Sequence, residues 1–132
     1  MKLIPVLDLK DGQVVHARRG ERSAYRPVKT RLCRGSRPLD LCWGLFRLHP
    51  FTTIYVADLD SIEGTGGNDG AVAELRAAFP QVEFWVDAGL PCGAAGDWLR
   101  RHGGCLVLGS ESQASAQDVA ALVAGETAKE TN

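Results

Sequence analysis

Leu3-Ile4-Pro5-Val6-Leu7-Asp8-Leu9 (LIPVLDL) is a short apolar run that carries a carboxylate near its end and passes into Lys10-Asp11-Gly12, a turn signal. Pro5 lacks a backbone donor, so it belongs at the beginning of a strand, and the strand it opens is short. Gln13–Ala17 reads as a small extension after the turn. The same device recurs three times along the chain. Thr53–Leu59 (TIYVADL), Val82–Val86 (VEFWV) and Cys105–Leu108 (CLVL) are further strand candidates, closing on Asp58 or Asp60, on Asp87, and on Gly109-Ser110-Glu111.

Amphipathic stretches separate these runs. Ser23–Ser36 is polar and basic and reads as a long loop, after which Pro38 opens a helix with Leu39, Leu41, Cys42, Leu45, Phe46 and Leu48 at helical spacing. His49-Pro50 stops it. The Gly-rich loop Glu63–Gly70 leads to a second helix carrying Val72, Leu75, Ala78 and Phe79, with Asn68 or Asp69 as its cap. A third helix near Gly93–His102 presents Ala95, Trp98 and Leu99 and ends at Gly103-Gly104; a fourth covers Ala116–Ala124. Parallel neighbours need a crossover, so strands alternating with helices imply a parallel α/β sheet. Periodicity leaves an open flavodoxin-like sheet and a piece of closed barrel equally possible. The expected organisation is one domain over residues 1–124 and a polar tail over 125–132.

A hydrophobic fraction of 45% and a charged fraction of 23% lie in the globular range. Net charge is −1, which argues against a nucleic-acid binder. The basic residues are uneven, however: Arg18, Arg19, Arg22, Arg26, Lys29, Arg31, Arg34 and Arg37 crowd one stretch. Such a loop suits small anions such as phosphates, or is simply a solvated surface. Cys33, Cys42, Cys92 and Cys105 form no CxxC pair and have no His at ligand spacing, so neither a metal nor another cofactor is expected. The N-terminal apolar run is too short for a signal peptide or membrane span, so the expectation is a cytoplasmic protein without membrane partners.

The carboxyl ends of parallel strands face the ligand site, whether the sheet is open or closed. Asp8, Asp58 and Asp87 are therefore candidate acid–base groups, against the alternative that they cap helices or bond turn amides. His16, after the first strand, is a candidate partner for Asp8. Gly89 and Gly109-Ser110 lie in turns before helices, where backbone N–H groups can meet phosphate. Trp43, Trp85 and Trp98 read as core or interface residues.

Ile4-Pro5-Val6-Leu7-Asp8-Leu9-Lys10-Asp11-Gly12-Gln13-Val14-Val15 resembles the opening of the histidine-biosynthesis barrel family, whose pattern is IP-x-[IL]-D, a short turn, then DG-x-VV. That family holds the phosphoribosylformimino-AICAR ribotide isomerase and the cyclase subunit of imidazole glycerol phosphate synthase. Tyr55-Val56-Ala57-Asp58-Leu59-Asp60, followed by Gly64 and Asn68, is similar to its second-strand VDLD. WVDAG at 85–89 and VLGSES at 107–112 look closest to divergent relatives associated with one-carbon and methanopterin metabolism. The resemblance implies half of a TIM (β/α)8 barrel, four βα units with parallel strands. It implies an isomerase-like role on a phosphorylated small metabolite, with Asp8 as first-strand catalytic carboxylate. His16 stands where the family has Lys or Arg. Lys10, Arg18, Asp87, Gly89, Gly109, Ser110 and Glu111 become candidate substrate- or phosphate-binding positions, although Asp87 and Glu111 place negative charge where phosphate would sit.

A full barrel takes about 250 residues. A four-strand half leaves two raw edges and the apolar interior exposed, so a homodimer or a complementing half-barrel is expected. The competing readings are a non-catalytic assembly module and a receiver-like flavodoxin domain; the latter calls for a Lys after the last strand, absent near Ser110.

Overall fold

The computed structural model describes residues 2–18, 21–113 and 115–130, with Arg22 and residues 126–130 described by backbone alone. Its strands are β1 (Val6–Lys10), β2 (Gln13–His16), β3 (Arg26–Pro27), β4 (Thr53–Asp58), β5 (Glu83–Asp87) and β6 (Cys105–Val107). They form one sheet in the order β3-β2-β1-β4-β5-β6. β1, β4, β5 and β6 run parallel, while β2 and β3 form an antiparallel arm beside β1. The arm begins at a two-residue turn with Asp11 at φ 51° and Gly12 at φ 76°. Positive φ at both positions is the type I′ hairpin geometry that Asp-Gly favours.

The helices are α1 (Pro38–Leu48), α2 (Leu59–Glu63), α3 (Asp69–Ala78), α4 (Cys92–His102) and α5 (Ala116–Glu130). Pro38 sits in the first turn of α1, where its missing N–H costs nothing. Strand parity builds the core. Leu7 and Leu9, Ile54 and Val56, and Phe84 and Val86 project from alternate positions into one cluster with Leu41, Cys42, Val72, Leu75, Phe79 and Trp98. Each such burial contributes about 2 kcal/mol. Burial also pushes the Cys42 thiol up to about 12, so it packs as an inert small hydrophobe.

On the opposite face only a small cluster is buried, Val15, Ala57 and Leu59 against Tyr25, Tyr55 and Ile62, and Val6, at the start of β1, is 62% exposed. Four parallel strands with the main helix layer on one face make an α/β half of a (β/α)8 barrel, the more open face being the barrel interior. β6 has a strand partner on one side, and β1 pairs with β2 only through Leu9 and Lys10. Among the described residues, no helix is long and apolar enough to cross a membrane.

Several expectations are corrected. A short helix, α2, follows β4 directly, because the Asp58 side chain accepts the Ser61 N–H and starts it. α5 runs from Ala116 to Glu130, past the helix end expected at Ala124; Glu, Ala and Lys propagate a helix already begun. Of the tryptophans, Trp98 is buried, but Trp43 is 53% exposed and covers Phe79 edge-on at a ring distance of 4.8 Å. His102, in the last turn of α4, lies 3.7 Å from Asp69 and tilts against Trp98.

Candidate active site at the strand ends

The register places Asp8 beside Ala57, Ala57 beside Asp87, and Asp87 beside Val107. This row lies on the face opposite the buried core positions. The next row toward the strand beginnings is Val6, Tyr55, Trp85 and Cys105. The more open interior face thus carries two carboxylates near its mouth and a floor of apolar and aromatic groups.

Tyr55 Oη donates to Asp87 Oδ2 at 2.7 Å. Burial first, then that bond and the charges of Asp87, Glu111 and Asp8, hold the phenol proton well above its ordinary pKa. Asp87, Glu111 and Asp8 thus all lie within electrostatic reach of Tyr55. Burial also raises the Asp8 carboxyl above the usual Asp value. Asp8 and His16 line one cleft of about 310 Å³, together with Val6, Leu7, Val28, Leu32, Leu41 and Leu45.

Asp58 takes the other parity and the other surroundings. It is 2% exposed, and its oxygens accept the Ser61 amide at 3.2 Å, the Asn68 amide at 2.8 Å and Asn68 Nδ2 at 2.7 Å. Asn68 Nδ2 also reaches Asp60 at 3.0 Å, and Asn68 Oδ1 accepts the Gly12 amide at 2.8 Å. Asp60 accepts the Asp11 amide at 2.7 Å. Burial alone would raise Asp60, but the Asp11 amide, Asn68, Lys10 and Thr65 outweigh it and hold its carboxyl below the ordinary value. Asn68, a helix-cap candidate in the sequence, makes no side-chain cap bond; it ties the Asp11-Gly12 turn to the end of β4.

Lys10, a candidate phosphate contact, is held instead by Glu63 at 3.4 Å and Asp60 at 3.7 Å. Its pKa rises through the Glu63 hydrogen bond, against the opposing effect of desolvation. Arg18 is exposed beyond the end of β2.

The two candidate phosphate turns are stitched to each other. Gly89 N–H, which would meet an anion, donates to Asp87 Oδ1 at 3.0 Å. Gly89 has φ +67°, and a Cβ there would lie 2.9 Å from Ile62 Cα, so glycine serves backbone packing at this point. Gln113 Oε1 accepts the Cys92 amide at 2.7 Å, while Gln113 Nε2 donates to Leu90 and Gly109 carbonyls, each at 3.1 Å. Ser110 is exposed in a single 3₁₀ turn, and Glu111 folds its carboxylate back against Gly109. The Gly89 and Cys92 amides after β5 therefore already have partners in Asp87 and Gln113, while in the second turn Gln113 bonds the Gly109 carbonyl.

Tyr55 and Gln113 were not singled out from the sequence. Tyr55 was within reach, since period-two alternation puts it on the face of Asp8 and Asp87; Gln113 carried no local signal. Among the described residues no group of three or more His, Cys, Asp or Glu side chains is arranged to hold a metal ion.

A half-barrel with acidic groups where the strands end defines the class of protein. The chain belongs to the histidine biosynthesis protein family, which it matches over residues 2–127. It is also 39% identical over 75 residues to the uncharacterized protein MJ0703 of Methanocaldococcus jannaschii. That match covers 57% of this chain and 33% of the relative, so the chain spans about a third of the archaeal protein's length.

Proposed function

We propose that this chain supplies a catalytic half of a barrel in which Asp8 transfers a proton on a phosphorylated small metabolite, an isomerase-like reaction within one-carbon, methanopterin-associated metabolism. The observation that carries this reading is the placement of Asp8. It lies on the interior face, half-buried, with its carboxyl raised toward the range of a working acid–base group, and it shares a cleft with His16. Asp87, one strand beyond Ala57 in the same row, is held by Tyr55 and supplies a second carboxylate at the mouth. Asp58 is left to the fold, because its oxygens are committed to Ser61 and Asn68. Closing an eight-stranded barrel needs strands beyond these four.

Isothermal titration with ribose 5-phosphate tests the reading. Wild type is expected to bind in the micromolar to millimolar range usual for substrates, and Asp8→Asn to weaken binding at least tenfold. Unchanged binding in Asp8→Asn removes Asp8 from the site. A second reading, a non-catalytic assembly module, draws support from the occupied turns: Gly89 N–H is taken by Asp87, and Glu111 adds charge opposed to phosphate. Absence of binding to any ribose phosphate by folded wild type favours that module.

A further inference from the structure

We propose that Asp87 selects for a hydrogen-bond donor of the ligand, such as a sugar hydroxyl, where β5 ends, that Tyr55 is the positioning residue that aims its carboxylate, and that this turn takes no phosphate. The inference rests on the reading above, in which the ligand lies on the interior face beside Asp8. It specifies what that ligand presents to β5.

The first observation is how firmly Asp87 is held. Tyr55 Oη donates to Oδ2 at 2.7 Å, and the Gly89 amide donates to Oδ1 at 3.0 Å. One donor belongs to β4 and the other to the turn after β5, so the carboxylate is fixed in rotation as well as in position. Its backbone is fixed too. Ser61 Oγ donates to the Ala88 carbonyl at 2.8 Å, and Gly89 sits so close to α2 that a Cβ would lie 2.9 Å from Ile62 Cα. Burial and the bond to Asp87 hold the Tyr55 phenol well above its ordinary pKa, which keeps it a donor to Asp87 across the neutral range. Support of this kind is what a binding group needs to hold one geometry.

The second observation is what remains open on Asp87. A carboxylate only accepts, through about four lone-pair sites. Tyr55 and Gly89 fill two of them. Asp87 is half-buried, so the others are reachable from the interior face. Any group that comes to them must donate. Asp8 stands two strands away in the same row, about 10 Å at ordinary strand spacing, so one small ligand can meet both carboxylates.

The third observation is the exclusion of anions. Phosphate needs free N–H groups or a cation. The Gly89 amide is spent on Asp87, and Glu111 folds its carboxylate into the space that a Cβ at Gly109 would fill. Among the described residues no Lys, Arg or His forms an ion pair with Asp87 or Glu111. A phosphate at this turn would meet two carboxylates and no compensating charge.

Titration of the full chain with ribose 5-phosphate and with inorganic phosphate tests the proposal, read by calorimetry and by the Gly89 and Gly109 amide resonances. Inorganic phosphate at tens of millimolar should shift neither amide in wild type. Asp87→Ala frees the Tyr55 hydroxyl and the Gly89 amide, and phosphate should then move the Gly89 resonance. Ribose 5-phosphate should bind Asp87→Ala about tenfold more weakly than wild type, as expected for a lost charge-assisted hydrogen bond. Sodium formate should restore most of that loss by seating a carboxylate between the same two donors. It should restore none of it when Asp87→Ala is combined with Tyr55→Phe. Asp87→Asn, nearly the same shape, should lose comparable affinity and takes the place of Asp87→Ala if the latter alters the circular dichroism spectrum. Phosphate bound at Gly89 in wild type, ribose 5-phosphate affinity indifferent to both Asp87 variants, or formate rescue that ignores Tyr55 overturns the proposal. The two readings fail separately. Asp8-dependent binding that ignores Asp87 keeps the earlier one and loses this one. Asp87-dependent exclusion of phosphate from Gly89, in a chain that binds no ribose phosphate, does the reverse.

Discussion

Asp58 and Asp87 close consecutive parallel strands, and the fold treats them differently. Asp58 points toward the helices, where Asn68 and Ser61 bond it on the dry side of the sheet. Asp87 points into the more open interior, where Tyr55 holds one oxygen and the Gly89 amide the other. One residue of offset in strand parity separates a sealed carboxylate from one that can face a ligand. A strand-end Asp is therefore read from which row it shares: Asp87 shares its row with Asp8, while Asp58 pairs in register with the core residue Leu9.

The largest test of this contrast is Asn68→Ala. It strips a partner from Asp58, Asp60 and the Gly12 amide at once, leaving buried carboxylates short of donors, and should cost about 3 kcal/mol in urea unfolding. Its pH signature follows from Asp60. That carboxyl is depressed in the fold, so its stabilisation is present above the ordinary Asp pKa and is lost as pH falls through the lower folded value. Asn68→Ala should flatten this acid limb. An unchanged limb would mean that the amides and Lys10 suffice.

Gly89→Ala is expected next, at about 2 kcal/mol, from a left-handed backbone and a Cβ only 2.9 Å from Ile62 Cα. Tyr55→Phe should cost about 1 kcal/mol by leaving Asp87 Oδ2 unbonded. An effect as large as that of Asn68→Ala would make the interior pair as structural as the Asp58 knot and erase the contrast. The smallest change has the opposite sign. Asp8 is raised in the fold, so its ionisation opposes stability, and stability from this group falls as pH climbs from the unfolded toward the folded pKa. Asp8→Asn should stabilise the chain at pH 7 by about 0.5 kcal/mol, a figure reduced for its solvent-facing part, while weakening ligand binding.

Much of the fold was legible because parallel sheets write themselves in local code. LIPVLDL, TIYVADL, VEFWV and CLVL each became a strand, and Asp-Gly at 11–12 made the expected tight turn. α2 was missed because five residues give too little periodicity to see, and its start depends on the Asp58 side chain. The candidate site was legible in part. Asp8 and Asp87 came to the open side and His16 lines a cleft beside Asp8, whereas Lys10 was consumed by Glu63 and Asp60, partners more than 45 positions away along the chain. Asn68 bonds Gly12 56 positions away and Gln113 bonds Leu90 23 positions away, and a lone amide side chain carries no local mark of such a contact.

The sequence by itself determined the alternation of strand and helix, the parallel sheet, and the family opening around Asp8, since hydrophobic period and turn chemistry act over a few residues. Only the tertiary structure decided which carboxylates are spent on the fold and which face the interior. That choice depends on register and on donors brought together from distant segments, and neither is fixed until the chain has packed.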